Sequence, residues 1–313
     1  MTRILAETAR RRFDPWPELV TSEWSDTRDT LHLWTQIVGK LKVELAPFQN
    51  QLWHTALGLT ARGLTTGPLP YEHGALQADF DFLAHQVTLQ TSRGGIKSIP
   101  LYARSVASFY NEVFASLRAL GAAVEIDPVS QELPQPIRCD LDTTNDSYDP
   151  DSVERWWTIL QSSARVMARH RSHFTGKASP VHFFWGGFDL TTTRHSGRPA
   201  PVKSDAGYIF RVAENEENWA AGFWPGSGAI ADAAYYAYQV PKPAGYESAQ
   251  IVPPEAYWST DLGEFILPYA AMRAAPDPDA VLLEFLQSTY VAGANLANWD
   301  RQRLEVDAIP EPR

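Results

Sequence analysis

Apolar residues recur along this chain in two periods, and the switch between them marks out its elements. Leu31, Trp34, Ile37, Val38, Leu41 and Leu45 fall three and four residues apart, which is one face of a helix. The pattern begins near Asp26-Thr27, and Pro47 closes it, because proline lacks the N–H that a continuing helix needs. From Leu52 to Thr60 the period becomes two. Trp53, Thr55, Leu57 and Leu59 alternate with His54, Ala56, Gly58 and Thr60, which predicts a strand. Leu76, Ala78, Phe80 and Phe82 alternate with Gln77, Asp79 and Asp81 and predict a second. Val87, Leu89 and Thr91 predict a third, and Gly94-Gly95 turns into a fourth that ends at Leu101. One polar side per strand predicts an antiparallel sheet with one covered face. Ser105 then caps a helix whose stripe is Val106, Phe109, Tyr110, Val113, Phe114, Leu117 and Leu120, and Gly121 is placed to end it.

Both periods fade over residues 127–149, which hold Pro128, Pro134 and Pro136 with Asp140, Asp142, Asp146 and Asp149. This segment reads as a linker without regular structure. Asp149 and Pro150 restart the pattern as N-cap and first helical residue. Val153, Trp156, Trp157, Leu160, Ala164 and Met167 carry a helix to about Phe174. Pro180 precedes an aromatic strand from Val181 to about Thr193, and further strands are predicted at Tyr208–Val212, Asn218–Phe223, Ala234–Val240 and Glu264–Leu267. Val281, Leu282, Phe285, Leu286, Thr289 and Tyr290 stripe a final helix.

The fold class that follows is α+β, with antiparallel sheets and packed helices. Each half runs helix, strands, helix. Leu33-Trp34-Thr35 is echoed by Trp156-Trp157-Thr158, and His54, Gly58 and Thr65 align with His182, Gly186 and Thr193. Such self-similarity predicts an internal duplication with pseudo-twofold symmetry. The divisions are an arm (1–20), a first repeat (21–126), the Pro/Asp-rich linker (127–149), a second repeat (150–300) and a tail (301–313). Two such units can share a core and leave a cleft where they meet.

Composition narrows the partners. Hydrophobic residues are 44% and charged residues 20% of the 313, which suits a globular core. The net charge of -10 sets the protein's field against nucleic acid and anionic membrane surfaces. Cys139 is the single cysteine, so an intramolecular disulfide and a cysteine-based metal site are both excluded. A reducing, cytoplasmic setting is expected. No run approaches the ~20 apolar residues of a membrane span, and the first residues lack the apolar core of a secretory signal.

Ionisable groups are densest from Lys177 to Arg198, a segment that also holds Phe183, Phe184 and Trp185. Strict alternation puts His182 and Asp189 on opposite faces. A β-bulge at Gly186-Gly187 would bring them together. Asp189 would then orient His182 as an acid/base, or the two would join another histidine at a metal. The competing reading is a structurally hydrogen-bonded core histidine. Arg62 with Thr65 and Thr66 forms either an anion-binding set or a solvated strand end. Trp224, in the Gly222–Gly226 loop, either stacks on a ligand or plugs the core. Glu264 stands at a pocket wall or pairs with a cation such as Arg194. Nucleotide-loop, zinc-protease and nucleophile-elbow motifs are absent, so no cofactor or metal is assigned.

Five strings carry a resemblance: Leu31–Lys40 (LHLWTQIVGK), Thr60–Thr66 (TARGLTT), Ser179–Leu190 (SPVHFFWGGFDL), Gly222–Gly226 (GFWPG) and Gly263–Tyr269 (GEFILPY). They resemble an uncharacterised, mainly bacterial family of unknown function, across roughly Trp16 to Trp299. The resemblance implies no reaction. Residue by residue it singles out Trp34, Gln36, Lys40, His54, Arg62, His182, Trp185, Asp189, Arg194, Trp224 and Glu264. The leading expectation is a small-molecule enzyme with its site between the halves. His182, Asp189 and Glu264 would act in catalysis, while His54, Arg62, Trp185, Arg194 and Trp224 would contact the substrate. The alternatives are a non-catalytic ligand- or cofactor-binding protein and a structural or interaction protein.

Overall fold

The computed structural model describes residues 13–201, 205–228 and 230–306. Most of the expected arm and the end of the expected tail therefore lie outside the described residues. The first half comprises α1 (Thr21–Leu45), β1 (Gly58–Leu59), β2 (Leu64–Thr65), β3 (Leu69–Tyr71), β4 (Gly74–Asp81), β5 (Gln86–Thr91), β6 (Ile96–Pro100) and α2 (Val106–Ala119). The second comprises α3 (Pro150–Arg171), β7 (His182–Phe184), β8 (Asp189–Pro199), α4 (Tyr208–Ala213), β9 (Glu216–Trp224), β10 (Ala234–Val240), β11 (Tyr257–Ser259), β12 (Glu264–Pro268), α5 (Tyr269–Arg273), α6 (Pro278–Leu296) and α7 (Arg301–Leu304). The protein is α+β, with two antiparallel six-stranded sheets.

The sheets run β1-β2-β4-β5-β6, with β3 also on β4, and β11-β12-β10-β9-β8-β7. They meet where Leu57 and Phe183 exchange backbone hydrogen bonds of 2.8 and 2.9 Å. Buried apolar residues from both halves form one continuous core. Trp156 is central to it, lying parallel to Phe188 at 4.9 Å and contacting Phe82 and Phe183 edge-on. Both halves do run helix, strands, helix. That shared order does not establish a duplication, because β3 branches from the first sheet and β11 is appended outside β12 in the second.

Local chemistry explains the boundaries that match the periodicity. Ser105 and Asp149 accept the Ser108 and Ser152 N–H groups as N-caps, satisfying donors that a helix start leaves free. Gly121 sits at φ +76°, the left-handed geometry that glycine adopts without strain. The Ala122 N–H then returns to the Leu117 carbonyl at 2.9 Å, closing the end of α2. The linker is irregular apart from turns and an isolated bridge between Val129 and Arg138.

Three expected strands are otherwise. Asn50–Thr55 is a 3-10 helix, with Gln51 and Leu52 at positive φ, and only Gly58–Leu59 of that run is strand. Local apolar alternation is weak evidence once tertiary bonds, such as that of Gln51 to Asn215 at 2.7 Å, hold the backbone. Tyr208–Val212 is helical, within α4. A strand needs a partner, and both sides of the adjoining β9 are already taken, by β8 and β10. The third is Val181–Thr193, which is a hairpin. Trp185, Gly186, Gly187 and Phe188, the last at φ +61°, turn β7 back on β8.

Candidate functional site

The hairpin decides which polar groups share a face. Phe184 pairs with Asp189 and His182 with Thr191, and directly paired residues of antiparallel strands point to the same side. His182 and Asp189 therefore do share a face, through a turn and not a bulge. The register still sets them two residues apart, about 7 Å along the strand. The same face carries Thr193 and His195 of β8, Gly222 and Trp224 of β9, Tyr236 and Tyr238 of β10, and Glu264 and Ile266 of β12. The opposite face, with Leu190, Trp219, Phe223 and Tyr235, is buried under α3 and α6.

The Asp189 end of this face opens into a cleft of about 690 Å³. Its floor is Asp189, Trp224, Tyr236, Tyr238, Glu264 and Ile266, and its other walls include Arg28–Leu33 of α1 and the Glu132–Ile137 stretch of the linker. The cleft thus lies between the two halves. The Leu31–Lys40 motif builds it. Gln36 accepts the Gln131 N–H at 2.7 Å and donates to the Gln131 carbonyl at 3.0 Å. Lys40 donates to the carbonyls of Asp127, at 2.8 Å, and Val129. His32 Nε2–H donates to the Gly186 carbonyl at 2.8 Å. A Cβ at Gly39 would collide with the Trp185 ring, so this glycine lets the hairpin pack on the helix. One helix face therefore holds both the linker wall and the hairpin.

Acidic groups converge here. The Tyr236 hydroxyl donates to Asp189 Oδ2. A Cβ on Gly187 would fall 2.9 Å from Asp189 Oδ1 and 3.5 Å from Glu132 Oε2, so both carboxyls lie close to this one glycine. Burial pushes Asp189 up to about 7, opposed by the Tyr236 bond and reinforced by the charge of Glu132. Burial and then the charge of Asp189 push Glu264 up to about 7. Glu132 is raised by burial, although it is open to solvent at the mouth, which screens part of that effect. Burial chiefly, and then the charges of Glu214, Glu264, Asp189 and Glu132, drive the Tyr238 hydroxyl well above its ordinary value. His32 is lowered to about 4 by burial, against the Gly186 bond, and is neutral at pH 7. Arg28 is engaged with the Gly226 carbonyl and with Asp29, at 2.7 Å.

Of the residues expected at a site, Asp189, Glu264 and Trp224 line this cleft. The others lie elsewhere. His182 is 5% exposed, has no hydrogen-bond partner at Nε2, and stands edge-on to Phe184 at 4.7 Å. Burial lowers it to about 3, helped by the charge of Lys42. It makes no hydrogen bond to Asp189, so the expected dyad is absent: a two-residue offset is too long for direct contact. His54 lies in the 3-10 segment, where its Nδ1 accepts the Gln49 N–H at 3.2 Å. Arg62 is exposed and pairs with Asp81 at 2.6 Å. Trp185 is buried and donates from Nε1 to the Thr55 carbonyl at 2.8 Å. Arg194 is on the helix-covered face, where it donates to the His170 carbonyl and lies 4.3 Å from the Tyr290 ring centre. It is not the partner of Glu264. Among the described residues, no group of three or more His, Cys, Asp or Glu could hold a metal ion.

Sequence reasoning missed His32, Glu132, Tyr236 and Tyr238. The two tyrosines were within reach, because both lie on one side of an alternating strand. Glu132 was not, since it belongs to a segment without period.

The fold and the cleft describe an α+β protein with an acidic, aromatic-walled cleft between its halves. The sequence profile of a family of unknown function (DUF5996) matches residues 16–306, and the chain belongs to that family. No curated protein and no solved structure matches it. Among the described residues, no helix is long and apolar enough to cross a membrane.

Proposed function

We propose that this protein is an enzyme acting on a small polar molecule by general acid–base chemistry, with Asp189 and Glu264 as the working pair. The observation that carries the proposal is two carboxyls in one cleft, both brought to about 7 by burial and by proximity to charge. Each is partly protonated near neutral pH, and the charge of Asp189 further opposes ionisation of Glu264. The Tyr236 hydroxyl stabilises the Asp189 anion, so Asp189 is the base. Glu264, which has no such donor among the described residues, keeps the proton and is the acid. A pair poised near the working pH moves protons most effectively. Trp224 and Tyr238 supply the walls. A net charge of -10 supports a small-molecule partner over a nucleic acid. The single cysteine, Cys139, is buried, which supports a cytoplasmic setting.

The test is native mass spectrometry of the purified full chain, followed by incubation with fractionated cell extract under mass-spectrometric readout. The intact protein is expected to retain or convert a small molecule. Asp189→Asn and Glu264→Gln should fold and lose that capacity. Equal conversion and retention in both variants would overturn the proposal.

A further inference from the structure

The cleft has a one-sided charge balance that specifies what fills it. Among the described residues, its charged lining is Asp29, Glu132, Asp189 and Glu264 against Arg28. Arg28 is spent on Asp29 and the Gly226 carbonyl. His32, the other base in the lining, gives its Nε2–H to Gly186. Among the described residues, Glu132, Asp189 and Glu264 thus face the cleft with no uncommitted cation in its lining. The remaining floor is aromatic: Trp224, Tyr236 and Tyr238 are each only partly buried and present ring surface to the cavity. Ring faces carry negative potential and attract cations, ammonium groups included. Carboxylates and ring faces in the same walls therefore ask for the same partner, while an anionic ligand would meet like charge on nearly every side.

We infer that the ligand of this cleft is an organic ammonium compound, its charged nitrogen lodged by Glu132 and Asp189, which meet at Gly187, and its carbon skeleton against Trp224, Tyr236 and Tyr238, with Glu264 adding negative charge to the same cleft. The inference rests on the proposal that the cleft is the ligand site, and it adds the chemical class. A primary ammonium has three N–H donors, enough to reach both Glu132 and Asp189. Its approach ionises acids that burial otherwise holds partly protonated, so binding releases protons.

The experiment is calorimetric titration of the full-length protein at pH 7.5 with 2-phenylethylamine and with 2-phenylethanol, which share shape and differ in charge. The amine should bind at least about 10-fold more tightly, since each 1.4 kcal/mol is tenfold. Glu132→Gln, at the solvent-exposed mouth, should weaken the amine by about fivefold or more and leave the alcohol unchanged. Asp189→Asn should do the same, and Glu264→Gln should reduce the proton release seen between buffers of different ionisation heat. Equal affinity for the two probes would overturn the ammonium assignment and leave the acid–base proposal standing. So would amine binding that ignores all three substitutions Glu132→Gln, Asp189→Asn and Glu264→Gln. If neither probe binds, the ammonium assignment fails. The acid–base proposal is then decided separately, by the extract conversion of Asp189→Asn and Glu264→Gln.

Discussion

Two pairs of residues on one sheet face in this protein obey the same force with opposite results. Asp189 and Glu264 line the cleft, His182 and His195 are covered, and burial disfavours the charged form of all four. It raises the acids to about 7 and lowers the histidines to about 3 and 4. The difference lies in what covers them. The acids open into a cleft, whereas the histidines are 5% and 1% exposed beneath Phe184 and Trp53. A perturbed titration is therefore no mark of function by itself. It becomes one where a ligand can reach the group.

The sharpest way to break this contrast is a pair of substitutions. Asp189→Asn should lower turnover or ligand retention by about 100-fold or more, in the range usual for a lost acid or base, with no loss of stability. His182→Ala should do the reverse. It leaves a gap in a packed core, costing on the order of 1–3 kcal/mol, while ligand retention per folded molecule is unchanged. Denaturant midpoints and native mass spectra on both variants check this. Matching phenotypes for the two substitutions would end the distinction.

Acid titration sharpens it further. His32, His170, His182 and His195 are all lowered by burial. Above about pH 6.5 they are neutral in both folded and unfolded chains. Below it the unfolded chain binds protons that the native one refuses. Their stabilising contribution is thus full above about 6.5 and is lost as pH falls toward about 4, at up to about 1.4 kcal/mol per pH unit for each group. Replacing His182 with Phe should remove about one proton from that dependence, measured by chemical denaturation from pH 4 to 6.5.

The acids give a smaller effect of opposite sign. Their raised values mean that the native state keeps protons which the unfolded chain sheds above about pH 4. Their contribution is present below about 4 and is lost as pH rises to about 7. Groups facing this pair are Glu132 from the linker, Tyr236 and Tyr238 from β10, and Arg28, Asp29 and His32 from α1. At pH 8, Glu264→Gln should be more stable than the parent by on the order of 1 kcal/mol after solvent screening, and the gap should close at pH 4. A gap that persists at pH 4 would assign the change to packing.

The smallest effect is expected at Arg62. It is exposed and paired with Asp81 at 2.6 Å, it is not among the residues that line the cleft, and surface pairs contribute little. Arg62→Ala should leave both the denaturation midpoint and amine binding unchanged within error.

The sequence by itself determined the elements whose signals are local. Periodicity placed α1, α2, α3 and α6 and the strands β4, β5, β9, β10 and β12, because a helix or a half-buried strand writes its burial into neighbouring positions. Cap chemistry at Ser105, Gly121, Asp149 and Pro150 placed the ends, because those bonds close within a few residues. The α+β class was legible too, and three of the residues singled out, Asp189, Trp224 and Glu264, lie in the cleft lining. Only the tertiary structure decided which of these residues meet. His182 and Asp189 are seven positions apart, yet the hairpin register and the covering aromatics send one into the core and the other into the cleft. Glu132 joins Asp189 because Gln36 and Lys40, nearly a hundred residues earlier, grip the backbone of its segment. Such meetings depend on long-range packing, and local spacing carries no record of the distance between residues that the fold brings together.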